Sequence, residues 1–337
     1  MTVNISRVRN FLKNSHNKKI AVIGDVMLDK YVYGEVNRIS PEAPVQVVDI
    51  KSTAYRLGGA ANVALNVKTL EAEPVLIGVI GDDDDGKVYL NTMKESGLVT
   101  TGIIKEGSRA TTSKTRIIAH SQHIIRIDSE HKKDLDKNTA SRLLKFFKDN
   151  IKKFEAVILQ DYNKGVLTKD VIAGIIKISG SANKPVYVDP KFDNFFEYRN
   201  VTVFKPNRKE VQDVIGEKVD GDESAKKIGR KLIDRLNCEF LVLTRGEKGM
   251  MLFDKEKDKT VVLNIPTKAR HVADVSGAGD TVISTIAVML AGGANIKEAV
   301  LIANQAAGIV CEEVGIIPIY KNALLNSSKD FLYEQQS

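Results

Sequence analysis

Short apolar runs that alternate with helical patterns dominate this 337-residue chain and limit the folds open to it. The first run, at residues 20–23, stops at Gly24, and a second, at 75–80, stops at Gly81. Further runs follow in AVILQDY, PVYVDP, VTVFKPN and FLVLTRG. Short apolar strands separated by helices are typical of a parallel sheet covered by helices on both faces. The pattern therefore predicts an α/β fold with a doubly wound, mostly parallel sheet.

Two regions interrupt this alternation and predict a second, smaller sheet. Residues of about 30–57 and 111–128 combine β-branched and polar positions in alternation, without helical periodicity. We expect these strands to project from the main sheet as a lid. The sequence contains no long linker, repeat or low-complexity tract, so we expect one domain over residues 1–337 that carries this lid.

The composition narrows the class of partner. The formal net charge is +7, but the basic residues are spread along the chain, and the densest pairs resemble solvated helix faces. The chain has no tryptophan and no interleaved aromatic and basic pattern of the kind that binds single strands. We therefore expect no nucleic acid partner, whereas a small anionic substrate fits the charge.

The cysteines and the apolar content indicate where the protein resides. Cys238 and Cys311 lie far apart in apolar stretches, without metal-ligand spacing, and we expect buried thiols in a reducing compartment. No apolar run approaches the ~20 residues that a membrane span needs, and the N-terminal segment lacks a signal-peptide core. These features predict a cytoplasmic protein without a membrane partner.

The stretch DVSGAGDT, residues 274–281, is the most informative glycine loop. Gly277, Ala278 and Gly279 precede an apolar helix, and their backbone amides can form an anion site at its positive end. A plain helix cap by Asp280 is the alternative. The loop has no P-loop lysine and ends in a carboxylate. That carboxylate could accept the proton of a hydroxyl that attacks a phosphoryl group, while the amides stabilise the transferred charge.

Five motifs, taken in order, resemble those of the ribokinase (PfkB) family of sugar kinases: GDVMLD, GGAANVA, KPNRKE, TRGEKG and DVSGAGDT. The resemblance covers residues 18–320, and the ordered set is far more specific than any single motif. It implies a ribokinase-like fold, ATP as phosphoryl donor and Mg²⁺ as cofactor. It also implies that Asp280 is the catalytic base and that Gly277, Ala278 and Gly279 form the anion hole.

The resemblance further assigns residues to the nucleotide and the cations. Asn207 and Glu210 match the motif that organises Mg²⁺ and phosphates, often through water, although the same pair could be a helix cap with a capping-box glutamate. The positions that match the nucleotide side are Thr244, Gly246, Gly249 and Asn304. Asp274 matches a position that helps to bind a monovalent cation such as K⁺, but Val275 replaces the usual threonine and leaves that cation in doubt.

On the sugar side, the residues that match the family's binding motifs are Asp25, Gly58, Gly59 and Asn62. Within the family, the chain most resembles the kinases that phosphorylate O1 of D-glycero-D-manno-heptose 7-phosphate for ADP-heptose and lipopolysaccharide core synthesis. The stretches that carry this likeness include RISPEAPVQVV, TTSKTRIIAHSQHIIRID and LQDYNKGVLT. A sugar phosphate needs cations, and the candidates are Lys114, Arg116, Arg126 and Lys191, with a solvated sheet edge as the alternative.

Several acidic and histidine positions receive no catalytic role. The run DDDD at 82–85 is interpreted as the acidic start of a helix rather than as a metal site. His120, His123 and His271 have no partners at metal or triad spacing.

Three expectations concern the protein as a whole. The sequence lacks the H-x-G-H motif of a cytidylyltransferase domain, so we expect the kinase alone, with nucleotidyl transfer left to a separate protein. The projecting strands predict a homodimer, because exposed sheet faces and edges are usually covered. Two other functions stay open: a different sugar or nucleoside kinase of the same fold, and a non-catalytic sugar-phosphate sensor.

Overall fold

The computed structural model describes residues 3–120, 122–256, 259–267, 273–313 and 315–333, with side chains as far as residue 327. Strands are numbered β1 to β13 and helices α1 to α10 along the chain. The helices are α1 (Ile5–Ser15), α2 (Ala60–Thr69), α3 (Asp84–Glu95), α4 (Lys137–Asn150), α5 (Lys169–Ser181), α6 (Arg208–Ile215), α7 (Asp222–Leu236), α8 (Ala278–Ala291), α9 (Ile296–Cys311) and α10 (Lys321–Tyr333).

The main sheet has nine strands and confirms the predicted α/β class. Its members are β1 (Lys19–Gly24), β4 (Glu73–Gly81), β5 (Ile103–Glu106), β8 (Ala156–Gln160), β9 (Val186–Asp189), β10 (Val203–Phe204), β11 (Phe240–Thr244), β12 (Met250–Glu256) and β13 (Lys259–Ile265). Their order is β13-β12-β11-β10-β9-β8-β1-β4-β5, and all pairs from β5 to β11 are parallel. The chain adds strands on one side of β1 and then on the other, so the topological switch point lies between β1 and β8.

The sheet is covered on both faces because successive residues of β1 enter different cores. Ile20 and Val22 pack with α1, α2, α8 and α9, whereas Ala21 and Ile23 pack with α4, α5 and α7. All four side chains are fully buried. This two-sided burial explains why β1 is continuously apolar rather than alternating.

The antiparallel edge formed by β12 and β13 was not predicted from the sequence. The two strands follow β11 as a meander, from Phe240↔Asp254 to Met250↔Ile265 in register. Their residues mix lysines and acids with apolar positions, because the outer strand is only partly buried. Strands of such mixed composition contain no continuous apolar run, so the apolar pattern does not predict them.

The predicted lid is present as a four-stranded sheet. Its strands are β2 (Val26–Ile39), β3 (Gln46–Gly59), β6 (Ser113–Ala119) and β7 (Gln122–Ser129), in the order β3-β2-β6-β7. The lid is continuous with the core, since β2 follows β1 after Asp25 and β3 leads directly into α2. Among the helices of the described ranges, none combines the length and apolarity needed to cross a membrane.

The acidic run at 82–85 has the structural role expected for it. Asp83 is the N-cap of α3, and its carboxylate accepts hydrogen bonds from the Gly86 amide (2.8 Å), the Thr111 amide (2.8 Å) and the Thr111 hydroxyl (2.6 Å). The carboxylate therefore joins the start of α3 to the segment that enters the lid strand β6. His271, which received no role, lies outside the described residues.

The cap generates a stability prediction with a matched control. Asp83→Ala leaves two backbone amides without their acceptor and should lower the free energy of unfolding by about 1–3 kcal/mol in urea titrations. Asp84→Ala removes a neighbouring carboxylate whose side chain is 94% exposed and paired only with Lys87, so it should change stability little. Equal effects of the two substitutions would contradict the capping role.

Candidate active site

The start of α8 is built as an anion site. Gly277 is the N-cap with φ +80°, a left-handed conformation that glycine adopts without strain. The first helical hydrogen bond runs from the Thr281 amide to the Gly277 carbonyl (3.0 Å), so the Gly279 and Asp280 amides have no acceptor within the helix. These amides and the positive end of α8 point an electropositive surface at the pocket.

Asp280, in the first turn of α8, is a buried carboxylate held by three donors from other elements. The Asn62 amide of α2 donates to Oδ2 (2.7 Å), and the Tyr162 hydroxyl donates to Oδ1 (2.7 Å). The Gln160 amide at the end of β8 also donates to Oδ1 (3.2 Å). The residue is 5% exposed and fixed in orientation, as a catalytic base must be.

The electrostatic environment leaves Asp280 able to gain and lose a proton near neutrality. Burial raises the pKa of Asp280 to about 6, and the neighbouring Asp189 carboxylate adds to the increase. The hydrogen bonds from Asn62 and Tyr162 and the charge of Lys205 lower the pKa and limit the shift. A general base works best when its pKa lies close to the working pH, and this carboxylate meets that condition.

A buried ion pair lies beside the base. Lys205 and Asp189, at the ends of β10 and β9, are joined at 2.9 Å, and both are nearly inaccessible to solvent. The Gln160 amide links Asp189 (3.1 Å) to Asp280. A Cβ on Gly279 would lie 3.4 Å from the Lys205 Nζ. The small residue thus allows a fixed ammonium group to stand next to the anion site.

Asn207 and Glu210 form the capping box of α6. The Glu210 amide donates to the Asn207 side chain (2.9 Å), and the Asn207 amide donates to Glu210 Oε2 (2.9 Å). Glu210 Oε1 forms an ion pair with Lys191. The capping alternative is therefore correct, and it fixes both side chains at the pocket wall. Their assignment to Mg²⁺ and phosphates stays a prediction.

The catalytic and nucleotide-side predictions converge on one pocket of about 550 Å³. Its lining includes the residues predicted for catalysis and for the nucleotide: Gly277, Ala278, Gly279, Asp280, Asn207, Glu210, Thr244, Gly246, Gly249 and Asn304. Gly249 has φ +74°, and a Cβ there would lie 2.1 Å from the Ile265 carbonyl oxygen, so only glycine fits. The Asn304 amide donates to the Pro266 carbonyl (2.7 Å).

Asp274, predicted to help bind a monovalent cation, closes its own loop. Its carboxylate accepts hydrogen bonds from the Ser276 amide (2.9 Å) and the Gly315 amide (3.2 Å). Partial burial alone would raise the pKa of Asp274, but the hydrogen bonds from Ser276 and Gly315 outweigh it and lower the pKa. The carboxylate is thus anionic, and cation binding there stays a prediction.

On the sugar side, Asp25 is engaged by the backbone. Its carboxylate accepts hydrogen bonds from the amides of Tyr162 (2.8 Å), Lys164 (3.1 Å) and Val166 (3.1 Å). Burial raises the pKa of Asp25, and these three amides oppose the increase. Asp25 therefore holds the loop that carries Tyr162, and its predicted contact with the sugar remains a prediction.

The glycine pair allows close packing at the base of the lid. A Cβ on Gly58 would lie 2.5 Å from the Asp29 Oδ2, and one on Gly59 would lie 2.4 Å from the Asp25 carbonyl oxygen. Asp29 is 2% exposed and pairs with Arg116 at 2.5 Å. The second aspartate of GDVMLD is therefore buried at the base of the lid, although the sequence interpretation used only the first.

The four cations predicted for the sugar phosphate are not brought together. Lys114, Arg116 and Arg126 share one face of the lid and are each paired with a carboxylate. Lys191 lies apart from them in the pocket, paired with Glu210 and 5.8 Å from the Tyr162 ring centroid. Its contacts belong to the phosphate side of the pocket, and its predicted sugar-phosphate contact stays a prediction.

Sequence reasoning missed the polar residues that surround the base. Tyr162 and Gln160 stood in a quoted stretch, LQDYNKGVLT, but their side chains contact Asp280 across 118 and 120 residues of sequence. The available signal was their place at the end of a buried strand. The same signal applied to Asp189 and Lys205, which stand at the ends of the apolar runs in PVYVDP and VTVFKPN and were not assigned to Asp280.

Comparison with known proteins identifies the family of the chain. The family model "pfkB family carbohydrate kinase" matches residues 17–322. The Bifunctional protein HldE of a Nitratiruptor species is 44% identical over 297 residues, 88% of this chain and 62% of that protein. The chain spans about three fifths of the length of the curated relatives it matches.

Solved structures share the fold at low sequence identity. Phosphofructokinase-2 from Escherichia coli, in complex with potassium, has a TM-score of 0.74 at 14% identity, covering 94% of this chain and 99% of that one. Arabidopsis thaliana ribokinase, complexed with ribose and ATP, has a TM-score of 0.70 at 18% identity, covering 93% and 99%. These likenesses concern the fold, and the family match identifies a sugar phosphotransferase. The chain belongs to the pfkB family of carbohydrate kinases.

The donors around Asp280 generate a pH prediction. Activity should fall as pH drops through the pKa of about 6, because the base becomes protonated. Tyr162→Phe removes one donor to the carboxylate and should move the acid limb of the kcat profile upward by about one pH unit. The other groups that face Asp280, namely Asn62, Gln160, Asp189 and Lys205, remain in the variant.

A matched variant separates this effect from a general loss of packing. Tyr89→Phe removes a buried hydroxyl that has no hydrogen-bond partner among the described residues, and it should leave the profile unchanged. Superimposable acid limbs for the wild type and Tyr162→Phe would show that the tyrosine does not tune the base.

Proposed function

We propose that this chain is an ATP-dependent kinase that phosphorylates O1 of D-glycero-D-manno-heptose 7-phosphate to the 1,7-bisphosphate, a step toward ADP-heptose and the lipopolysaccharide core. The observation that carries the phosphotransferase part is the buried Asp280 carboxylate beside unpaired amides at the start of α8. The heptose assignment is supported by the sequence likeness described above and by relatives of up to 44% identity. The proposal concerns the kinase step alone, in the cytoplasm.

The chemistry follows from the geometry around Asp280. The sugar hydroxyl transfers its proton to the carboxylate as its oxygen bonds to the γ-phosphorus, and the bond from that phosphorus to the β–γ bridging oxygen breaks to release ADP. The Gly279 and Asp280 amides, the helix end and Lys205 stabilise negative charge on the transferred group. Asn62, Gln160 and Tyr162 keep the base oriented during the transfer.

The pocket fits a nucleotide with Mg²⁺. Lys191, Lys205 and the α8 amides offer positive charge to phosphates, and the Gly246 to Gly249 turn leaves room for the rest of the nucleotide. Glu210 and Asp189 are among the carboxylates that line the pocket. Such donors suit Mg²⁺, which keeps waters and binds through phosphates and one or two carboxylates. Glu210 and Asp189 would supply these, and the bound ion would neutralise charge on the β- and γ-phosphates.

The decisive experiment is product analysis. The purified protein should be incubated with ATP, Mg²⁺ and, in parallel, heptose 7-phosphate, fructose 6-phosphate and ribose. Heptose 1,7-bisphosphate is expected as the preferred product, whereas preference for another sugar would support the alternative of a different kinase of this fold. Asp280→Asn should lower turnover by about two to four orders of magnitude while ATP affinity changes little. Near-normal turnover in that variant would remove Asp280 from the role of base.

A sensor without catalytic activity is the remaining alternative. A sensor needs no buried carboxylate with a pKa near neutrality, yet Asp280 has three dedicated donors from other elements. Absence of product with every sugar, together with tight binding of a sugar phosphate, would favour the sensor.

We also propose that the protein forms a homodimer through the lid. One face of the lid carries exposed apolar side chains in register: Ile50, Tyr55, Ile125 and Ile127 are between 42% and 66% exposed. At its base this face is covered by α3, where Lys30 pairs with Asp85, and farther out the four apolar side chains are exposed. Apolar sheet faces of this kind are usually covered, and a second copy presents the same face for a two-fold contact.

The dimer predicts a measurable change in assembly. Ile125→Asp with Ile127→Asp places two charges on the proposed interface and should shift the protein from dimer to monomer in sedimentation or light scattering. Val99→Asp, at a comparably exposed apolar residue (51%) near the end of α3, should leave the mass unchanged. A wild type that is monomeric at micromolar concentration would exclude the interface.

A further inference from the structure

The lid face that looks into the cleft has fewer available cations than its sequence indicates. Arg116 is paired with Asp29 (2.5 Å), and Lys114 is paired with both Asp128 (3.0 Å) and Glu130 (2.9 Å). Arg126 also pairs with Asp128 (2.8 Å) and is 58% exposed at the outer strand. Each of these charges is already compensated by a carboxylate of the lid itself.

Arg56 is the exception on that face. It lies on β3 directly opposite Asp29 of β2, so it shares the face with Arg116. Among the residues that the structure describes, no carboxylate is within salt-bridge distance of it. Its guanidinium lies 4.9 Å from the centroid of the Tyr31 ring, and Arg116 lies 5.1 Å from the same centroid. Tyr31 is itself 8% exposed and therefore a fixed platform.

Gly315 connects Arg56 to the loop that leads into α8. A Cβ on Gly315 would lie 3.4 Å from the Arg56 Nη1, and the Gly315 amide donates to Asp274, the residue that begins the loop leading into α8. Along the chain, β3 continues from Arg56 through the glycine pair into α2, whose Asn62 donates to Asp280. Arg56 thus lies on the strand that leads into α2, the helix that carries a hydrogen-bond donor to Asp280.

We propose that Arg56, stacked on Tyr31, is the specificity-determining residue that binds the phosphate of a phosphorylated sugar; this assignment rests on the proposed sugar-phosphate kinase function. A guanidinium that lies over the face of an aromatic ring can still donate its N–H groups sideways. Two of these N–H groups match two oxygens of a phosphate. Asp29 neutralises Arg116, so the two cations on one ring leave one net positive charge for the incoming dianion. Lys114 and Arg126 form ion pairs with Asp128 within the lid.

Paired substrates test this assignment. KM is measured for heptose 7-phosphate, for the unphosphorylated heptose and for ATP. Arg56→Ala should raise KM for the phosphorylated sugar by about tenfold to a hundredfold, because charge-assisted hydrogen bonds to the phosphate are lost. KM for the unphosphorylated heptose and for ATP should stay within about twofold. Arg56→Lys keeps the positive charge but loses the two parallel N–H donors of the guanidinium. Its KM for heptose 7-phosphate should lie between those of the wild type and Arg56→Ala.

Arg142→Ala is the matched control, because it removes an exposed arginine on α4, outside the lid, that donates to the Lys105 carbonyl (3.2 Å). It should leave all three constants within about twofold. The assignment is overturned if Arg56→Ala affects both sugars equally, if it leaves heptose 7-phosphate use unchanged, or if Arg142→Ala produces the same loss.

Failure of the proposed function gives a different result. If the wild type phosphorylates neither sugar, inorganic phosphate is titrated calorimetrically into protein whose nucleotide site is saturated with MgADP. Phosphate binding that is lost in Arg56→Ala and kept in Arg142→Ala would support the phosphate site on its own. Undetectable binding to the wild type, or equal binding to both variants, would overturn it.

Discussion

The structure depends on keeping a carboxylate charged inside the protein. Burial of an ionised carboxylate costs several kcal/mol unless donors replace its lost water. Asp280 obtains them from α2, from β8 and from the loop after β8, and it lies in the first turn of α8, where the helix dipole favours negative charge. Three regions that are distant in sequence, namely α2, β8 with its following loop, and α8, must therefore meet at one side chain. The position of the Asp280 carboxylate depends on how well those three regions pack.

The doubly wound sheet makes that meeting possible. The switch point between β1 and β8 opens a crevice at the carboxyl ends of the strands, and Gln160 and Asp25 stand on its two sides. Asp25 accepts three amides of the loop that contains Tyr162, so the sugar-side motif fixes a donor to the base. Substitution of Asp25 would therefore shift the Tyr162 loop and change the hydrogen bonding of Asp280, although the two carboxylates act through that loop rather than directly.

The sequence predicted what local patterns encode and missed what long-range packing decides. The parallel core, the lid and the helix at DVSGAGDT follow from apolar periodicity and glycine position, and the structure confirms them. The β12–β13 edge was missed because half-buried strands mix charged and apolar residues. Tyr162 and Gln160 were not assigned because no spacing rule links them to Asp280 across more than a hundred residues. Sequence could not show that Lys114 and Arg116 are already paired with carboxylates, and their contact with a sugar phosphate stays a prediction.

The lid shows how one period-two pattern can serve two purposes. Alternate residues of β2, β6 and β7 point to opposite faces, so Tyr31, Arg116 and Arg126 look toward the cleft while Val32, Ile117 and Ile125 look away. A slip of one residue in register would exchange the two sets and place apolar side chains over the pocket. The irregularity between Ile117 and Ile118 comes only after the Arg116↔Arg126 pair, so the cleft-facing register stays intact up to that point. Covering the apolar face would hold the strands in register and so hold Tyr31, with the two arginines that stack on it, over the cleft. The proposed dimer contact and the proposed phosphate site would thus lie on the two sides of one small sheet.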